Sequence, residues 1–102
     1  IQINELKYLK KNQIFLIFLK RFLREDEKDI KKINSALRFD FIEKVKSKNI
    51  DQNNKDLTLE LLAINLLKNR EKFEINLIFK NSSCITLSTE IIEVILEDQN
   101  KI

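Results

Sequence analysis

The sequence predicts a mainly β fold, with an α+β arrangement as the alternative. Its expected form is antiparallel strands in a pseudo-duplicated barrel or two packed sheets, with at most one or two short helices. Three observations predict it. Apolar residues alternate with polar ones over short windows, as in Phe73, Ile75, Leu77 and Phe79 against Glu74, Asn76 and Lys80, and a period of two marks a strand with one buried face. Clusters of Asn, Asp and Ser punctuate these windows, as turns require. The two halves of the chain also resemble each other.

The opening window places Leu6 and Tyr8 on one face of a strand, and Lys11-Asn12 reads as a turn. Ile14 to Phe22 is apolar on both faces, which predicts a central strand covered on both sides. Arg24 to Ile33 carries eight charges in ten residues. It reads as a short surface helix, with Glu27 and Lys31 at a favourable spacing, or as a solvated loop. Leu37, Phe39 and Phe41 resume the strand pattern, and Ile42 to Lys48 continues it with Lys44, Lys46 and Lys48 directed outward and Val45 inward. Asp51 to Asp56 is the clearest loop. Leu57 to Leu67 fits two periods: Leu57, Leu61 and Ile64 suit a helix, whereas Leu57, Leu59, Leu61 and Ala63 suit a strand. After Phe79 the chain turns at Asn81-Ser82-Ser83, and Ile85-Leu87 and Ile92-Val94-Leu96 supply the last two strands. Leu37, Phe39, Phe73, Ile75, Leu77 and Leu87 are the expected core.

The internal similarity sets Lys11-Asn12 and Phe15 to Phe18 beside Lys68-Asn69 and Phe73 to Phe79. It also sets Ser35 to Phe39 beside Ser83 to Leu87, and Ile42-Glu43 beside Ile92-Glu93. Any two alternating hairpins share some of this, so the expectation is one β-rich domain over residues 1–102 with a possible repeat, roughly 5–50 and 57–102.

A chain of 102 residues buries about two-thirds of its unfolded surface, enough for one core. The sequence contains no Gly, Pro, His, Met or Trp, where average usage supplies roughly seven Gly and about five Pro. Turns therefore fall to Asn, Asp and Ser, which best tolerate left-handed backbone after Gly. Heavy use of Ile, Lys and Asn suits an AT-rich genome. The single Cys84 rules out an internal disulfide and suits a reducing compartment. The longest apolar run, Ile14 to Leu19, has six residues, against about twenty for a membrane helix. Cytoplasmic location and no membrane association are the expectation.

These absences also bound the chemistry. Without an imidazole, the chain holds no Ser-His-Asp or Cys-His nucleophile pair of its own. One Cys and no His disfavour a structural zinc site, and no Gly disfavours a phosphate-cradling loop. Asp51 to Asp56 lacks the Gly and distal Glu of a calcium loop. Cys84 has no charged neighbour to activate it and reads as a small, part-buried hydrophobe. Glu90 with Glu93, and Glu97 with Asp98, are carboxylate pairs whose ordinary place is a solvated edge. No catalytic, metal or cofactor-binding residues are expected, and no cofactor. The one candidate interaction face is the basic row Lys44, Lys46 and Lys48. Such a row can touch phosphates, but no aromatic ring interleaves with it to stack bases, and lysines on a strand also guard a sheet edge.

From Glu5 onward the chain resembles a family of small alphaproteobacterial proteins classed as a domain of unknown function (family 2948). The resemblance lies in three stretches. The first is Tyr8 to Lys11 with Phe15-Leu16-Ile17 and Arg21-Phe22. The second is Ala36 to Phe39 with Val45 to Asp51, Lys55-Asp56-Leu57 and Leu61 to Ile64. The third is Leu77-Ile78-Phe79 with Cys84 to Leu87 and Glu90 to Asp98. Members usually have Gly in the last hairpin, where this chain has Asn81-Ser82-Ser83, and before the Ile-Asp pair, where it has Asn49. They also begin with a helical segment missing here, which agrees with the absent Met. The resemblance implies no activity and carries over no catalytic residue.

The expected function is that of a non-enzymatic macromolecular interaction domain with an unidentified protein partner, homo-oligomerisation being open. The alternative is a nucleic-acid- or ribosome-associated protein using the basic strand face. A third reading is a small-ligand binder or enzyme with carboxylates and Lys in a pocket. A large exposed apolar patch favours the first, a continuous basic face the second, and a deep polar-lined pocket the third.

Overall fold

The computed structural model describes residues 2–24, 30–50 and 59–98, without the side chains of 2, 4, 21–24 and 30–32. The described residues form eight strands: β1 (Gln2–Leu9), β2 (Ile14–Arg24), β3 (Ile30–Phe39), β4 (Ile42–Lys48), β5 (Leu59–Asn69), β6 (Lys72–Phe79), β7 (Ser83–Thr89) and β8 (Val94–Asp98). A 3-10 turn at Lys10–Asn12 joins β1 to β2. The mainly β expectation holds, and every strand pair is antiparallel.

The strand order is β4-β7-β6-β5-β1-β2-β3-β8. Among the described residues the β5–β1 joint is two residue pairs long, Gln2 with Glu60 and Ile3 with Leu59. The molecule is therefore two four-stranded sheets, β1-β2-β3-β8 and β5-β6-β7-β4, and the barrel alternative falls because the order ends on β4 and β8 without closing. Exchanging β1–β4 with β5–β8 turns the order into its own reverse: each half builds a three-stranded meander and gives its fourth strand to the other half.

One apolar core lies between the sheets. Phe15, Ile17, Leu19 and Phe39 from the first face Ile75, Leu77, Phe79, Ile85 and Leu87 from the second, with Ile3, Ile42 and Leu59 completing it. Strand periodicity predicted these positions, since alternate residues share a face. Two expected core residues, Leu37 and Phe73, are only partly buried. β2 is central between β1 and β3, but Ile14, Leu16 and Phe18 on its second face are half-buried, so the strand is fully covered on one side only.

Two readings of the sequence need correction. Ile30 to Asn34 is neither helix nor loop: it pairs with Lys20 to Arg24 as strand, so β2 and β3 run on into the charged stretch. The last strand starts at Val94, leaving Ile92 in the connection. Cys84 is part-buried near the start of β7, as read, and alternates with Ile85 and Leu87; it pairs with Lys48 on one side and Ile78 on the other. The ambiguous segment Leu57 to Leu67 is strand from Leu59 onward, and its double period has a cause. The register slips between Leu61 and Ala63, and a bulge of one residue moves the core-facing set by one position. Leu61 faces the core with Phe79, then Ile64 with Leu77 and Leu66 with Ile75. The step from Leu61 to Ile64 mimics a helix.

Among the described residues, turns without Gly put six other residues at positive φ: Gln13, Phe41, Asn49, Arg70, Asn81 and Ser82. Asn49 and Asn81 are of the residue type that best tolerates this conformation after Gly. There the side chains add bonds. Asn49 Nδ2 donates to the Ser82 carbonyl at 3.0 Å and Ser83 Oγ donates to the Asn49 carbonyl at 2.8 Å, clasping the end of β4 to the β6–β7 turn.

Candidate interaction surfaces

Among the described residues β4 is an edge strand, with β7 as its one strand neighbour. Its lysines pair outward, Lys44 with Ser88, Lys46 with Thr86 and Lys48 with Cys84, while Val45 packs partly under the sheet against the core. All three lysines are exposed. The rows continue across the outer face into Glu74, Asn76 and Ile78 of β6, where Thr86 Oγ1 donates to Asn76 Oδ1 at 2.7 Å. No aromatic side chain stands in these rows, and Glu43 at the start of β4 receives Lys72 at 3.4 Å. The face is a mixed polar surface with a basic border.

The carboxylates named from the sequence do not converge. Glu90 and Glu93 are exposed in the β7–β8 connection, and Glu97 and Asp98, adjacent in β8, point to opposite faces. Asp98 Oδ1 accepts from Ser35 Oγ at 2.7 Å. Arg38 Nε donates to Asp40 at 2.7 Å. That hydrogen bond, then the charge of Asp40, raises the guanidinium pKa from its ordinary value, with smaller support from Glu97 and Glu93. Among the described residues no three His, Cys, Asp or Glu side chains group as a metal site. The acidic loop Asp51 to Asp56 lies outside the described residues. No helix of the described chain is long and apolar enough to cross a membrane.

The surface that sequence reading missed is apolar. Leu62, Ile64, Leu66 and Leu67 of β5 are 49 to 60% exposed, and Val94, Ile95 and Leu96 of β8, with Ile91 and Ile92 before it, are 37 to 58% exposed. The registers set Ile64 and Leu66 on the face of buried Leu77 and Ile75, and Val94 beside buried Phe39. These are core-facing positions beyond the reach of the opposite sheet. Among the described residues, sheet β1-β2-β3-β8 pairs with β5 at Leu59 and Glu60, and Ile64 and Leu66 further along β5 are half-exposed. The corresponding positions of β1 are covered: Leu6 and Tyr8 pack against the core, and the chain at Ile42 crosses over Tyr8. Alternation alone marks Ile64 and Leu66 as apolar; their exposure depends on what lies opposite them in the fold.

No curated protein matches the chain, and no solved structure does. Residues 1–102 match the family described as "Protein of unknown function (DUF2948)" over their full length, and the chain belongs to that family.

Proposed function

We propose that the chain is a non-enzymatic protein-interaction module of the cytoplasm. The observation carrying this reading is the exposure of Ile64 and Leu66 of β5 and of Val94 and Leu96 of β8, half-exposed on faces that elsewhere form the core. Monomeric proteins seldom leave contiguous apolar patches of this kind without a binding role. Sheet edges add backbone donors and acceptors, so a partner strand gains hydrogen bonds as well as apolar burial.

The basic border of β4 supports a second reading, association with nucleic acid. Its three lysines project together, but the neighbouring rows carry Ser88, Thr86 and Glu74 rather than further cations or rings. Affinity purification of the tagged chain from its host, with and without nuclease, separates the two. Protein partners retained after nuclease, and lost when Leu66→Lys and Leu96→Lys are introduced together, are the expected result. A partner set that disappears with nuclease would transfer the function to the lysine border.

A further inference from the structure

We infer that β4 takes up an acidic segment of another protein as an added antiparallel strand, with carboxylates set opposite Lys44, Lys46 and Lys48. That the partner is a protein rests on the protein-interaction reading; the surface is separate from the apolar residues of β5 and β8 that carry it. β7 and β6 stand between β4 and β5. Both ends of β4 are fixed from within the fold. Ile42 N donates to the Gln13 carbonyl at 2.8 Å, and beyond Lys48 the Asn49 amide and carbonyl are clasped to the β6–β7 turn. Between these ends Lys44 to Lys48 pairs with Ser88 to Cys84 without a break in register. The opposite backbone edge of this regular stretch has no strand partner among the described residues, and such an edge is a template for a further strand.

The side chains of β4 state what can lie there. Positions two apart share a strand face, so three exposed ammonium groups stand in a row on the outer face. Among the described residues no carboxylate pairs with any of them. Across β7 they meet Ser88, Thr86 and Cys84, all uncharged, and Glu43 at the start of the strand is taken by Lys72 at 3.4 Å. On the other face Val45 is half-buried against the core. A strand laid antiparallel beside β4 meets Lys48, Ser47, Lys46, Val45 and Lys44 in that order. Its matching pattern is acidic, polar, acidic, apolar, acidic, because opposite charges across a ladder stabilise it and like charges destabilise it.

The rival occupants fit less well. A second copy of β4 paired about Lys46 sets Lys46 against Lys46 and Lys44 against Lys48. A nucleic acid meets no ring to stack on, and its phosphates offer no donor to the carbonyls of the edge. Lysines on an edge repel other strands; against an acidic strand the same row attracts, which turns protection into selection.

Two end-blocked peptides of one composition test the inference. Thr-Glu-Thr-Glu-Val-Glu-Thr carries the alternation, and Glu-Glu-Glu-Val-Thr-Thr-Thr places its acids together. Amide chemical shifts of the labelled full chain, followed at low salt up to millimolar peptide, read both affinity and place. The expected result is saturable binding of the alternating peptide, about tenfold tighter than the contiguous one, with shifts centred on Lys44 to Lys48. Changing Lys44, Lys46 and Lys48 together to Gln should weaken it about tenfold or more, with an unchanged circular-dichroism spectrum. Leu66→Lys with Leu96→Lys should leave it intact. Equal affinity for the two peptides would reduce the effect to charge attraction and overturn the proposal. So would shifts centred away from β4, no shift at millimolar peptide, or tighter binding of a mixed-sequence RNA by the same lysines. None of these outcomes touches the capture of host protein through Leu66 and Leu96, so the two readings stand or fall separately.

Discussion

The Tyr8 hydroxyl donates to the Ile42 carbonyl at 2.8 Å, joining residues 34 positions apart. This bond and the donation from Ile42 N to the Gln13 carbonyl at 2.8 Å hold the chain over the β1–β2 turn as it passes from the first sheet to the second. Ile42 is fully buried, so its carbonyl has little recourse to water. Tyr8→Phe keeps the ring and its contact with Phe15 but leaves that acceptor unpaired. We expect a loss of about 1–2 kcal/mol, seen as a lower urea midpoint at unchanged m-value. A midpoint within error of wild type would mean the crossing is held by packing alone.

Thr89 closes the other end of the same connection. Its buried Oγ1 lies 2.7 Å from the Phe41 carbonyl and 2.6 Å from the Ile91 carbonyl, and accepts from Ile91 N at 3.2 Å. The Phe41 carbonyl belongs to a bulky residue held at φ 59°, a conformation such a residue rarely adopts. Thr89→Val conserves shape and removes the hydroxyl. We expect a cost of about 1–3 kcal/mol in equilibrium unfolding. Faster hydrogen exchange of the amides from Phe41 to Ile42 should accompany it; unchanged exchange there would refute the role of Thr89 in fixing the connection.

Arg70 opens a two-residue turn between Asn69 and Lys72 at φ 58°. Gly is the residue suited to positive φ in such a hairpin. Left-handed backbone costs an ordinary residue about 1–2 kcal/mol, and Gly gives back about 0.5–1 kcal/mol in unfolded-state entropy. Arg70→Gly should therefore stabilise the fold by about 0.5–1 kcal/mol, measurable as a higher thermal midpoint. A lower midpoint would show that the Arg70 side chain contributes more than its backbone strain costs.

The lysines of β4 are exposed and away from the core, so reversing Lys44, Lys46 and Lys48 to Glu should change stability by no more than about 0.5 kcal/mol at each site. Net charge moves from +3 to −3 (three reversals of two units each). Wild-type protein titrated against mixed RNA and duplex DNA should show only weak, non-specific binding at physiological salt. Submicromolar, salt-dependent binding lost in the triple variant would make the phosphate-binding reading the better one.

The strands were legible in the sequence wherever one register runs unbroken. Phe73 to Phe79 and Ile85 to Leu87 alternate without interruption, and the structure buries the face they predict. The β5 segment was ambiguous because a bulge interrupts its period, and a bulge depends on the partner strand. Lys31 and Lys32 misled because charged residues usually mark loops, while long pairing between neighbouring strands can carry them; residues 25–29 of the charged run lie outside the described residues. The lysine row was placed on one strand face correctly; the apolar surface on β5 and β8 was not seen, since Ile64 and Leu96 have the same pattern as core residues.

By itself the sequence determined the β class, most of the strands, the inward set of apolar residues, and the turns that Asn and Ser must make without Gly, because each depends on neighbours a few positions away. Only the tertiary structure decided that β4 and β8 exchange halves and that Ile64 and Leu66 are half-exposed. Burial is a property of what lies opposite. Alternation states which face a side chain takes, and the path of a strand dozens of residues away decides whether that face is covered.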